Sequence, residues 1–158
     1  MKIIGLDLST KSTGVSIFEK DKLIYYKCIT ESSNNVLKRI TNITKAIANI
    51  LLEYKPDLVI IEDPLPADVH NNIDVYKKLT YLQGFIVVTL DSFGISYALV
   101  TASHWRKKCG IKTGTGIKRE ELKSSDIKFV KNKFGLDVND DIADAIGIGW
   151  CGVLETNQ

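Results

Sequence analysis

The chain has 158 residues, 44% of them apolar and 25% charged, with a formal net charge of +2. That is enough chain to bury a core, and the composition is globular rather than disordered, collagenous or disulfide-stapled. No apolar run approaches the ~20 residues that span a bilayer, the N-terminus lacks the zones of a signal peptide, and Cys28, Cys109 and Cys151 are too scattered for a disulfide framework or a CxxC metal site, so a reduced, intracellular protein without a membrane partner is expected.

In chain order, "KIIGLDL" (2–8) reads as a strand, followed by the turn "STKSTG". In "VSIFEK" Val15 and Ile17 share one face, with polar or exposed residues expected on the other. A tight connection at Lys20–Asp21–Lys22 leads into "LIYYKCI", which completes an antiparallel meander. From about Ser33 the period changes. Val36, Ile40, Ile43, Ile47, Ile50, Leu51 and Tyr54 recur at steps of three and four, the stripe of an amphipathic helix. Ser32 or Ser33 is the expected cap, and Pro56 lies just past the end.

"DLVIIED" is short, β-branched and apolar up to Glu62, the pattern of a strand buried on both faces. Pro64 and Pro66 end it. A helix from about Asn72 to Leu90 places Leu79, Leu82, Ile86 and Leu90 on one side, and "ISYALVT" is a fifth strand. "ASHWRKKCG" reads as a short helix and "IKTGTGIK" as a basic, flexible loop. A charged helix over 118–133 turns Leu122, Ile127, Val130 and Phe134 inward, and "NDDIADAIGIGWCGVL" closes the chain as a helix of small and apolar residues with an acidic start. The order β-β-β-α-β-α-β-α-α predicts an α/β fold: one domain, residues 1–158, with a mixed five-stranded sheet covered by helices on both faces.

Charge is unevenly spread. Between His104 and Lys133 ten Lys or Arg face three acids, a local +7 against −5 for the remainder. A basic segment on a mildly acidic body suits a polyanion. Lys107, Lys108, Lys112, Lys118, Arg119 and Lys123 are the candidate contacts to its phosphates, and Gly114 and Gly116 let "KTGTG" conform to a polyanion's backbone. Neither His70 nor His104 sits in a ligand-spaced cluster; both read as surface or loop residues, His104 being a weak DNA-contact candidate. Trp105 and Trp150 read as packing residues.

The acids are the sharper signal. Asp7 ends an apolar strand, and Glu62 ends another. If those strands are parallel neighbours, both carboxylates emerge at one end of the sheet. Asp141 and Asp144 share a helical face at i, i+3, and Asp140, at i, i+4 from Asp144, competes with Asp141 on spacing alone. Four gathered carboxylates repel one another until protons or a cation intervene. Mg²⁺ prefers such oxygen ligands, and two ions about 4 Å apart serve phosphodiester cleavage.

The stretches "IGLDLSTKSTGVSIF", "VIIED" and "DDIADAIGIG" resemble the RuvC family of Holliday-junction resolvases, most of all the small RuvC-like resolvases of bacteriophages of Gram-positive hosts. The resemblance runs from Ile3 to about Trp150, and D-x-x-D-A is its most specific part. It implies an RNase H-like fold, a homodimer, and Mg²⁺-dependent (or Mn²⁺-dependent) cutting of two opposing strands of a four-way junction in the cytoplasm, that of a bacterial host if the chain is phage-encoded. On that resemblance Asp7, Glu62, Asp141 and Asp144 are the catalytic and metal-binding acids. Lys123, and with a looser alignment Lys112, match family lysines, and the helix carrying Tyr76 and Tyr81 lies near the dimer interface. Two positions depart from the bacterial pattern. Asp7-Leu8-Ser9 stands for Asp-Pro-Gly, and Leu65 stands for a junction-probing aromatic three residues after the glutamate. The second departure predicts a broader taste for branched DNA, forks and flaps included.

Two other readings compete. "GLDLSTKSTGVSI" also suits the first phosphate loop of an actin-like or sugar-kinase-like ATPase. That fold needs two domains and a second glycine-rich loop, and it leaves the acidic pair without a job. A catalytically inactive junction-binding module would not need all four acids.

Overall fold

The computed structural model describes residues 1–66 and 72–157; His70 lies outside them. Strands β1 (Lys2–Asp7), β2 (Ser12–Glu19) and β3 (Lys22–Thr30) form the meander. The turn at Lys20–Asp21 puts Lys20 at φ 57°, in the left-handed region. Helix α1 (Val36–Tyr54), strand β4 (Leu58–Glu62), helix α2 (Ile73–Ser92) and strand β5 (Ser96–Val100) follow, then helices α3 (Ala102–Lys108), α4 (Arg119–Phe134) and α5 (Asp140–Thr156). The five strands form one mixed sheet in the order β3-β2-β1-β4-β5. The pairs β1–β2 and β2–β3 are antiparallel, and β1–β4 and β4–β5 are parallel.

The period of two divides the central strands between two cores. Ile4 and Leu6 of β1 and Val59 and Ile61 of β4 pack with the stripes of α1 and α2, including Ile40, Ile43, Ile47, Leu82, Ile86 and Leu90. Ile3 and Ile60 point the other way and pack with Trp105 of α3, Val130 of α4 and Ile146 and Ile148 of α5. Asp7 and Glu62 belong by parity to this second face.

Several expectations are corrected. The second face of β2 is not solvated: Ser16 and Phe18 are fully buried, because α5 lies on them. The cap of α1 is Asn35, whose side chain accepts from the Lys38 N–H, while Ser33 Oγ accepts from the Asn35 N–H one step outside. Leu79 is only half-buried. In α4 the inward face carries a charge: Asp126 is 1% exposed beside Val130.

Candidate active site

β1 and β4 run parallel with Leu6 opposite Ile61. Their next residues, Asp7 and Glu62, therefore leave the sheet side by side, at one end and on one face. The first turn of α5 is pressed onto that corner because small residues permit it. A Cβ on Gly5 would lie 2.3 Å from the Gly149 nitrogen, and one on Gly14 would lie 2.1 Å from the Asp141 carbonyl oxygen. Ser16 Oγ donates to the Ala145 carbonyl at 2.6 Å. Ser12 Oγ donates to the Asp141 carboxylate, with Cys28 Sγ 3.0 Å from the same hydroxyl. Asn139 caps α5 through the Ile142 N–H at 3.0 Å. Asp7, Glu62, Asp141 and Asp144 consequently line one cleft of about 810 Å³.

Asp140 and Asp141 separate cleanly. The Asp140 carboxylate is engaged by Lys123, and that hydrogen bond holds its pKa below the usual carboxylate range. Asp141 lines the cleft and Asp140 does not.

The seven-residue helix α3 supplies two further contacts that the sequence reading missed. Trp105, fully buried, donates its indole N–H to Glu62 Oε2 at 2.6 Å. Arg106 makes a double hydrogen bond to buried Asp126, its Nε 3.1 and 3.0 Å from the two oxygens, and places Nη2 3.6 Å from Asp144 Oδ2. The basic run around Arg106 gave no hint that this arginine turns inward. Its signal was the lone acid on an apolar helix face, Asp126.

The electrostatics of the cleft ask for a cation. Burial, then the charges of Glu62, Asp144 and Asp141, raise the pKa of Asp7 well above the carboxylate range against the pull of Arg106. Burial is also the main cause that pushes Asp144 up to about 8, with Asp126 adding to it and Arg106 opposing. Asp144 Oδ1 is buried without a hydrogen-bond partner among the described residues. Crowded carboxylates and one orphaned oxygen form an all-oxygen donor set that fits a hard divalent ion such as Mg²⁺.

Of the predicted phosphate contacts, Arg119 and Lys123 line the cleft. Lys107 and Lys108 lie on the last turn of α3, Lys112 on the following loop, and Lys118 at the cap of α4, all outside the cleft lining. Lys11, Arg39 and Lys78 do line it. Sequence reasoning missed them because they are remote from the basic segment. Arg39 is brought in by hydrogen bonds to the Thr10 and Ser33 carbonyls at 3.0 and 2.6 Å. Trp150 packs between Phe18 and Phe134, with ring centroids 5.8 and 5.7 Å away. His104 is at the surface as expected, its side chain 46% exposed, but the expectation that it sits in no ligand-type cluster is corrected. It lies on α3 with Nε2 2.6 Å from Glu155 Oε1, in a group with Cys151.

The family model described as crossover junction endodeoxyribonuclease RuvC matches residues 3–152. The RuvC crossover junction endodeoxyribonuclease of Thermosipho melanesiensis is 25% identical, the match covering 99% of each chain. T. thermophilus RuvC in complex with Holliday junction substrate superposes with a TM-score of 0.81 at 14% identity, over 99% of this chain and 96% of that one. Fowlpox virus resolvase in complex with Holliday junction DNA gives a TM-score of 0.58 at 19% identity, over the whole of both chains. These two structural likenesses show the fold, an RNase H-like sheet with its flanking helices.

Proposed function

We propose, since this chain belongs to the RuvC family of crossover junction endodeoxyribonucleases, that it cuts four-way DNA junctions by metal-dependent phosphodiester hydrolysis at the Asp7–Glu62–Asp141–Asp144 cleft. The observation that carries the reading is the meeting of four acids from β1, β4 and α5, one of them with a buried carboxylate oxygen that has no hydrogen-bond partner among the described residues. Their oxygens would hold Mg²⁺, with Mn²⁺ a substitute. Such an ion supplies an activated water and a counter-charge for the leaving oxygen. The chain's own residues supply the rest. Trp105 orients Glu62, Ser12 orients Asp141, and Arg106 anchors Asp144 from below. Arg119, Lys123, Lys11 and Lys78 border the acids and would seat the phosphates beside the scissile bond. Lys107, Lys108, Lys112 and Lys118, outside the cleft, would extend that track along a junction arm.

Resolution needs two cuts, and the exposed side of α2 offers a face for a second copy: Tyr81, Phe85 and Val88 are each at least half exposed there. Among the described residues no helix is long and apolar enough to cross a membrane, in keeping with work on DNA in the cytoplasm. Leu65, 38% exposed after β4, is aliphatic where the bacterial pattern has an aromatic probe, which favours forks and flaps as additional substrates. The ATPase and inactive-module readings are not favoured, since the family match spans nearly the whole chain and all four acids share the cleft.

The test is a labelled four-way junction incubated with Mg²⁺ and either the wild-type chain or Asp7→Asn. Paired symmetric nicks are expected from the wild type. The variant should lose them by at least a hundredfold while still binding the junction. Nicking that survives in the variant, or no nicking by the wild type with either Mg²⁺ or Mn²⁺, would sink the assignment.

A further inference from the structure

We propose that His104, Cys151 and Glu155 form a second metal site, separate from the carboxylate cleft, that takes a borderline-soft divalent ion of the zinc class. The proposal stands apart from the nuclease reading and uses none of the cleft residues. One ligand atom from each of the three side chains lies within 4.8 Å of the other two. Cys151 and Glu155 are one turn apart at i, i+4 near the end of α5, so they share a helical face. His104 reaches that face from α3. Zn²⁺ accepts nitrogen, sulfur and carboxylate oxygen together, whereas Mg²⁺ takes oxygen donors and leaves a set rich in nitrogen and sulfur. Three protein ligands leave a fourth position for water.

The surroundings suit an ion that arrives from solvent. Cys151 is fully buried and forms the floor. The side chains of His104 and Glu155 are 46% and 32% exposed and form the mouth. His104 Nε2 and Glu155 Oε1 lie 2.6 Å apart, side by side where an ion would take one atom from each. Burial and the Glu155 charge push the Cys151 thiol up to about 12, with Lys108 opposing. The ion must displace that proton, as thiolate metal sites do. Cys151 follows Asp144 by seven residues on α5, about 10 Å along the axis at 1.5 Å per residue, so one ion cannot serve both groups.

Occupancy would have a consequence for the nuclease. An ion held by α3 and α5 fixes α3, the helix whose Trp105 orients Glu62 and whose Arg106 anchors Asp144. The second site would thus set how firmly two of the cleft acids are held.

The test is titration of the full chain with Co²⁺, a coloured stand-in for Zn²⁺, in the Asp7→Asn background that weakens the cleft. A thiolate-to-cobalt charge-transfer band and intense visible bands of a four-coordinate ion are expected, saturating at one equivalent and erased by one equivalent of Zn²⁺. Cys151→Ser should abolish the charge-transfer band. His104→Ala, at an exposed position, and Glu155→Gln, at a half-buried one, should weaken Co²⁺ binding tenfold or more with the fold intact by circular dichroism. Zn²⁺ should raise the Tm of the parent chain and not that of His104→Ala. No charge-transfer band from the folded chain, or a band unchanged by His104→Ala, would show a surface His–Glu pair over an inert thiol and overturn the proposal.

Discussion

Asp144 shows at the scale of one residue why the cleft suits a cation. Its pKa rises from 3.8 to about 8 in the folded chain. The folded state therefore binds this proton more tightly than the unfolded state does. The stabilisation is complete below about pH 4 and is lost as the pH rises toward 8. The groups around it act together, since Asp126 and Glu62 raise the value and Arg106 lowers it. In chelator, thermal melts should show the wild-type chain losing stability across that window. Asp144→Asn removes the buried charge and should be the more stable protein at pH 8, by about 1–3 kcal/mol. A wild type that becomes more stable from pH 4 to pH 8 in chelator would refute the assignment. Trp105 offers a second test. Trp105→Phe retains most of the buried ring and removes only the N–H that Glu62 accepts. Supporting contacts of this kind are worth roughly 10–100-fold in metal affinity or activity. The Mg²⁺ concentration for half-maximal nicking should rise by that factor, with rate recovered at high Mg²⁺. An unchanged metal requirement would reduce the indole to packing.

Among the elements, the contact of α5 with β1 and β2 decides whether the acids meet. Gly14→Ala would thrust a methyl group at the Asp141 carbonyl, where no flexible side chain can yield. The first turn of α5 must lift, carrying Asp141 away from Asp7. A loss of about 1–3 kcal/mol in denaturant unfolding is expected, the usual cost of overpacking, together with a fall in nicking larger than the stability loss explains. Nicking at the wild-type rate would mean that α5 can shift without cost to the site. The same packing shows which parts of the site were legible. The five strands followed from their periodicity, and two apolar runs that each end in an acid, Asp7 and Glu62, marked the strands that matter; that these two are parallel neighbours came from the structure. Helical spacing put Asp144 on one face with either Asp140 or Asp141, and it took the Lys123 contact to Asp140 to separate the two. The solvated side expected for β2 did not survive, because alternation along Ser16 and Phe18 cannot reveal that a glycine-rich helix will cover them. Lys11, Arg39 and Lys78 were equally out of reach. They enter the cleft through tertiary placement of the β1–β2 turn, α1 and α2, and no local pattern marks them.

At the scale of the whole molecule, one cleft makes one cut, and two symmetric cuts need two clefts facing a junction with matching symmetry. The outer side of α2 bears on this requirement. Tyr81, Phe85 and Val88 recur at steps of four and three and are exposed, too much apolar surface in one stripe for a helix meant to face water. Gly84 lies in the same stripe, where an added Cβ would meet nothing within 4 Å among the described residues. A glycine inside a helix costs about 1 kcal/mol relative to alanine, so its presence here calls for a neighbour that approaches the backbone, which the described residues of the single chain do not provide. An isologous pair of α2 helices would supply that neighbour and put every contact into the interface twice. Phe85→Lys would then lose a central anchor from both copies and bury two like charges. At roughly 2 kcal/mol per anchor, the dimer dissociation constant should rise on the order of a thousandfold. Sedimentation velocity should find the variant monomeric at concentrations where the wild type is paired, with circular dichroism unchanged. On a labelled junction the variant should give single, uncoupled nicks at high enzyme concentration and few paired ones. A wild-type chain that sediments as a monomer while making paired symmetric cuts would remove α2 as the dimer face and require the DNA alone to bring the two clefts together.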